Sequence, residues 1–277
     1  MSLSITSQPS ANLIWLSQRD RALQLTLARL ASGQRITKAA DDPAGLVISE
    51  QMRALSDGMD QASANTEEGI SMAQTADGGL EQSQSILNQQ RAIALQAANS
   101  ALMDPNQLAA LNAQFNNLSQ SLDRVAGSTT FAGKPLLDGS YRNQSLQIGP
   151  SSGDTVQVDI ASRVTGQPAG FDSRGLGLAG IDLSNPDDAL ARIDAASSAV
   201  GQQRGDIGAL QANVLQTNAD SLAVAHENLV SAQSGIADTD YAQQASELVR
   251  NQILFKAGIA MQAQGNQLAG RVLQLLS

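Results

Sequence analysis

"RLASGQRITKAADDPAG" occupies residues 29–45. Two adjacent aspartates, a basic pair and two glycines interrupt apolar periodicity there. The stretch is either a site of chemistry or a corner joining two helices, and its flanks decide. Upstream, Leu13, Leu16, Leu23, Leu27 and Leu30 recur at alternating spacings of three and four, with Asp20 in the skipped slot. That is a coiled-coil-like stripe running from about Ser10 to Ser32. Gly33 fits a helix stop. Downstream, Pro43 suits a first helical turn, where its missing N–H costs nothing, and Asp41 or Asp42 can cap that helix. Residues one apart on a helix do not face each other, so Asp41 and Asp42 are poorly placed as an acid/base pair. A cap and a turn are expected of them, with Arg35 and Lys38 as salt partners worth about 0–1 kcal/mol each at a surface.

From this corner the pattern extends both ways. A second helix is expected from near Ala44 toward Ala97, with Gly58, Gly69, Gly78 and Gly79 either breaking it or admitting close neighbours. "MDPNQLAALNAQF" restarts helix, with Asp104 as cap, Pro105 in the first turn and Gly127 as a stop. The middle then changes character. "FAGKPLLDG", "SLQIG" and "DTVQVDI" are short, and the last alternates Val156, Val158 and Ile160 against polar neighbours as a half-buried strand does. Residues 166–180, rich in Gly, Pro and Ser, read as a connector. Helix resumes after Asn185–Pro186, runs to about Ala232, breaks at "SGIADTD" and resumes near Tyr241. There Leu248, Phe255, Ile259, Ala269, Leu273 and Leu276 recur at heptad-compatible spacing.

The expected fold is therefore mainly α. Long antiparallel helices form a coiled-coil-like rod with a small central β-hairpin region, and the N- and C-terminal helices pair. Residues 1–44 and 236–277 are the two arms. Residues 45–235 are the rod, with its β region at about 130–180. Each arm has a uniform apolar stripe and no globular neighbour in sequence. Burial of each large apolar side chain contributes about 1.5–3 kcal/mol, which an isolated arm cannot collect. Assembly should supply it.

Composition narrows the function. The 277 residues are 42% hydrophobic but only 3% aromatic, as suits close-packed helices more than a wide globular interior. Net charge is −9 without a long basic run, which argues against nucleic acid. No cysteine is present, so disulfide and thiolate chemistry are excluded. The lone His226, in "HEN", does not extend to HExxH, so no cofactor or metal is expected. "GSTTFAG" is not a phosphate loop, and no base, nucleophile and orienter come together in the sequence. No enzymatic activity is expected. "MSLSITSQPSANLIW" lacks a basic region followed by an apolar run, so no conventional secretory signal is expected, nor any membrane span.

These segments resemble bacterial flagellin in a short form lacking outer variable domains. The resemblance rests on "RLASGQRITKAADDPAG" (29–45), "EEGISMAQTADGGL" (67–80) and "LDRVAGSTTFAGKPLLDG" (122–139). It continues in "IDAASSAVGQQRGDIGALQANV" (193–214), "SGIADTDYAQQASELVRNQIL" (234–254) and "QGNQLAGRVLQLL" (264–276). It implies a subunit, carried out of the cell by the flagellar export apparatus, that polymerises with itself into the extracellular filament. An export chaperone, the filament cap and hook-junction proteins are the further partners implied. The filament interface would include Leu16, Leu23, Leu27, Leu30, Arg35, Asp41, Asp42, Arg91, Phe255, Ile259, Leu273 and Leu276. Arg91, Ile93 and Gln96 match the family stretch read by a Toll-like receptor. Gln89 stands where a basic residue is common and Ala92 where a glutamate is common, so weak recognition is expected. A hook–filament junction protein or a specialised minor flagellin is the alternative. The opening "SLSITSQPSANLIW" departs from the asparagine-rich start common in the family, and Trp15 is unusual there.

Overall fold

The computed structural model describes the backbone of residues 8–99 and 104–276 and the side chains of 13–99, 104–268, 270 and 271. Among the described residues, six α-helices and four short strands follow in the order α1 (Gln8–Ser32), α2 (Pro43–Ala97), α3 (Pro105–Ser128), β1 (Thr130–Phe131), β2 (Lys134–Pro135), β3 (Gln144–Gln147), β4 (Thr155–Val158), α4 (Pro186–Ala209), α5 (Thr217–Ala237) and α6 (Tyr241–Leu276). A π-helical turn, Leu210–Gln216, joins α4 to α5. The chain divides into two compact units: Met1–Ser56 with Glu227–Ser277, and Asp57–His226.

In the second unit, α3 begins as its sequence demands. Asp104 accepts from the Asn106 N–H at 3.1 Å, and the Asp104 N–H donates to Gln107 Oε1 at 3.2 Å, closing a capping box around Pro105. The helices α2, α3 and α4 share one core. Leu80, Leu87, Phe115, Leu122 and Ile193 lie fully buried beside small Ala76, Ala94, Ala126, Ala189 and Ala196. The alanines let backbones approach, which explains how so few rings suffice. Between α2 and α4, Arg204 grips Asp77 with two hydrogen bonds, 2.7 and 3.2 Å.

Despite its five glycines, α2 runs unbroken through all 55 of its residues. Gly79 shows why one of them is there. A Cβ at that position would lie 2.6 Å from Thr129 Oγ1 and 2.8 Å from Leu137 Cδ1, so the glycine admits the chain leaving α3. The close neighbours at Gly58 and Gly79 come from outside the long helices, and those at Gly69 are Leu146 and Leu215, the latter in the π-helical turn that joins α4 to α5.

The central region is two antiparallel hairpins, β1–β2 and β3–β4. Ala132 and Gly133, both at positive φ, make the two-residue turn of the first, as right-twisted strands require. In β4, Val156 and Val158 turn inward while Thr155 and Gln157 stay exposed, as the alternation predicts. Residues 166–180 depart from the connector expected of them. Phe171, Leu176 and Leu178 are buried, as are Ile181 and Leu183 just beyond. The segment has no regular structure, so its backbone groups need individual partners. The Phe171 N–H donates to the Leu137 carbonyl at 2.7 Å, the Ser173 N–H to Asp123 at 2.7 Å and the Leu183 N–H to Asn112 at 3.0 Å. Side chains on α3 thus hold an irregular strap against the core. The helix after Asn185 also extends past the expected Ala232, to Ala237.

Candidate assembly interface

The first unit carries the corner and the two terminal helices. Gly33 ends α1 at φ +72°, and its N–H donates back to the Arg29 carbonyl at 2.9 Å. This left-handed conformation favours glycine. The chain then runs alongside the link between α5 and α6. Gln34 pairs with Asp238 as an antiparallel bridge, the Arg35 N–H donates to the Ala237 carbonyl at 2.7 Å, and the Thr239 N–H donates to the Gly33 carbonyl at 2.9 Å. Ile36, buried, pins the corner from inside.

The two aspartates divide the work. Asp41 Oδ2 accepts from the Thr37 N–H at 3.1 Å, the Thr37 hydroxyl at 3.0 Å and the Lys38 N–H at 3.0 Å. Asp42 Oδ1 accepts from the Gly45 N–H at 2.9 Å and caps α2, while its Oδ2 lies 3.6 Å from Arg35 Nη2. One carboxylate ties the loop and the other starts the helix, so neither is disposed as a general acid. At the far link Asp240 repeats the device, accepting from the Ala242 and Gln243 N–H groups at 2.9 and 3.0 Å to cap α6.

Hydrogen bonds from the Thr37 hydroxyl, then from the Thr37 N–H, hold the Asp41 carboxyl below its ordinary range. A carboxyl depressed in the folded state contributes stability above its unfolded pKa, near ~3.9, and loses it as pH falls through the lower folded value. The corner should therefore loosen in acid. Hydrogen exchange at the Thr37 and Lys38 amides is expected to show that step below about pH 4. In Asp41→Ala these amides should exchange faster at neutral pH and show no acid step. An acid step of unchanged size in that variant would place its origin elsewhere.

The helices α1 and α6 pair antiparallel. Near one end, Gly258 packs under the Trp15 ring: a Cβ added there would overlap Trp15 Cζ3 and lie 3.3 Å from Leu16 Cδ1. Asn251 donates to the Thr26 hydroxyl at 3.4 Å, and at the corner Tyr241 Oη lies 3.1 Å from where a Gly33 Cβ would be. Among the buried and half-buried positions, which also include Glu247 and Leu254 on α6 and Trp15, Asp20, Ala22, Leu25 and Arg29 on α1, one run on α6 is Gln244, Leu248, Asn251, Phe255, Gly258, Gln262, and one on α1 is Leu16, Arg19, Leu23, Thr26, Leu30, continued by Gly33 just past the helix end. Both sets keep the heptad spacing. Both are also rotated by one position from the apolar stripes in the sequence. Leu16, Leu23, Leu30 and Phe255 belong to the seam, whereas Leu27 and Ile259 stand 45% and 47% exposed on its flank. Leu13 and Met261 are likewise exposed.

Arg35, Asp41 and Asp42 are brought together at the corner. Arg91 lies in the other unit, on α2, where its Nε donates to Asp194 of α4 at 2.9 Å. Beside it Gln89, Ala92 and Ile93 line a shallow open groove of about 490 Å³ with Gln114, Asn117, Leu118 and Ser121. The side chains of Leu273 and Leu276 lie outside the described residues. Sequence reading passed over Thr26 and Asn251. Their signal was positional: they fill heptad slots between apolar neighbours, but a hydrophobicity criterion selects Leu27 and Ile259 instead.

A chain of long helices, closed by an antiparallel pair of its two ends and a bridged corner, defines a helical protein whose termini form one structural unit. The bacterial flagellin N-terminal helical region matches residues 7–142, and the bacterial flagellin C-terminal helical region matches residues 190–276. Flagellin of Halalkalibacterium halodurans is 39% identical over 91% of this chain and 91% of its own. Flagellin of Bacillus subtilis is 34% identical over 94% and 95%, and the flagellar filament 30.7 kDa core protein of Treponema maltophilum 34% over 92% and 92%. The chain belongs to the bacterial flagellin family. Among the described residues, no helix is long and apolar enough to cross a membrane.

Proposed function

We infer that the chain is a structural subunit that polymerises into the bacterial flagellar filament and supports motility. Flagellin regions at both ends of the chain support this, and a hook–filament junction role is not favoured. One structural observation carries it furthest. Each terminal helix uses one flank of its apolar stripe to pair within the chain and leaves the other, with Leu13, Leu27 and Ile259, in solvent. Neighbouring copies would cover those flanks. Membership of a family of structural proteins accords with a non-enzymatic role.

The finer reading is also ours. Residues 1–44 and 236–277 act as arms and 45–235 as the rod. Leu16, Leu23, Leu27, Leu30, Arg35, Asp41, Asp42, Arg91, Phe255, Ile259, Leu273 and Leu276 contribute to contacts in the filament. The subunit leaves the cell through the export apparatus, held beforehand by a chaperone that shields apolar side chains of α6, and joins the filament beneath its cap and beyond the hook junction. Toll-like receptor recognition is weak because of Gln89 and Ala92, and a reporter-cell response as strong as that to stimulatory flagellins would overturn that point.

Purified full-length chain should sediment as polymer and show helical filaments by electron microscopy. Removing residues 264–277 should abolish the filaments while the helical circular dichroism of the Asp57–His226 unit persists. Normal filaments from the shortened chain would refute this reading of the C-terminal arm.

A further inference from the structure

The α6 side of the α1–α6 seam alternates apolar side chains with polar ones and a glycine. Among its heptad slots Leu248 and Phe255 are large and apolar, with half-buried Leu254 next to them, while Gln244, Asn251, Gly258 and Gln262 fill the others. Such a seam could slide by whole heptads unless something else sets its register. We propose that Trp15 with Gly258, and Thr26 with Asn251, form a two-point register lock that determines how the terminal helices mate, and that Trp15 is its specificity-determining residue.

The geometry carries this in three parts. A Cβ on Gly258 would overlap Cζ3 of Trp15, so the ring occupies the space a side chain would need. The Arg19 guanidinium also stands over the ring, 5.3 Å from its centroid, a cation–π contact that further orients the indole. Glycine costs helix stability mid-helix, so its presence under the ring has a packing reason. Gly265, by contrast, has nothing among the described residues within 4 Å of its would-be Cβ.

Heptad slips show why two points are needed. Sliding α6 one way brings Asn251 against the ring, where there is no room for it. Sliding it the other way offers Gly265 to the ring, one heptad beyond Gly258, but carries Asn251 away from Thr26. Only the observed register satisfies both. A flanking hydrogen bond between polar seam residues is a known way for a helix pair to choose one alignment at some cost in stability.

Trp15 is the single tryptophan of the chain, so its fluorescence reports this contact alone. The test compares full-length wild type, Gly258→Ala, Trp15→Leu, the double variant and Gly265→Ala. Gly258→Ala should expel the ring, shifting its emission to longer wavelength and raising acrylamide quenching about twofold. It should also raise the critical concentration for assembly about tenfold, as overpacking does. The double variant should recover to within about threefold of wild type, because a leucine in place of the indole leaves room for the new methyl. Gly265→Ala should assemble at least as well as wild type, since alanine is the better helix former.

Normal assembly and unshifted emission in Gly258→Ala would overturn the lock, as would no recovery in the double variant. Weakened assembly in Gly265→Ala would point to the slipped register and overturn it too. If circular dichroism shows that Gly258→Ala loses helix, Trp15→Leu decides: it adds no atoms, and an unchanged critical concentration would refute the proposal. The assembly arm rests on the filament reading; the fluorescence arm does not. Wild type that forms no filaments would sink that reading and leave the ring's emission to decide the register.

Discussion

Ile259→Lys is expected to abolish filament formation while leaving the monomer's helical content unchanged. Ile259 is 47% exposed and lies one position past Gly258, on the flank of the seam. A lysine there meets water in the single chain, so circular dichroism and monomer solubility should not change. In an assembled state with that flank covered, the ammonium would be buried without a partner, at a cost of several kcal/mol per subunit. Leu27→Lys, at 45% exposure on α1, should act in the same way. Sedimentation and electron microscopy read the result. Filaments of normal length and number from either variant would mean that this flank is not an interface.

Phe171→Ala should produce the largest loss of stability, about 3–5 kcal/mol, as removal of a fully buried aromatic side chain does. Phe171 is 0% exposed, in a segment whose composition reads as linker. Its removal would open a cavity between the irregular strap and the core of α2, α3 and α4, and would loosen the backbone bond to Leu137. Urea unfolding of the full chain, followed by circular dichroism, should show a lower midpoint. A change under about 1 kcal/mol would show that the strap contributes nothing to the core.

The corner was legible in the sequence because its devices are local. A glycine stop, an aspartate cap and a proline in the first turn act within a few residues, and Gly33, Asp42 and Pro43 occupy those places. The cap of α3 at Asp104 and the start of α6 at Tyr241 were readable for the same reason. Glycines were misleading where their purpose is a distant neighbour. Gly79 lies in an unbroken helix because Thr129 and Leu137 press on it, and nothing near it in the chain says so.

The heptad stripes were legible as well, but only as stripes. Which edge of a stripe is buried depends on where the partner helix approaches. At 3.6 residues per turn, a rotation of one position exchanges Leu27 for Thr26 and Ile259 for Gly258. Hydrophobicity alone cannot make that choice, since Thr26 and Gly258 are less apolar than Leu27 and Ile259. The strap at 166–183 is a related case. Its apolar residues keep no period, so only the side chains of α3 that satisfy its backbone reveal it as core.

By itself, then, the sequence determined the helices, their caps, the corner between α1 and α2 and the flagellin kinship, because local hydrogen-bonding chemistry and pattern suffice for these. Tertiary structure alone decided which flank of each terminal helix meets its partner, that Asp41 ties the loop while Asp42 caps the helix, and that the apparent linker is core. Those outcomes depend on atoms far apart in the chain meeting at van der Waals distance, and packing of that kind has no signature in residue order.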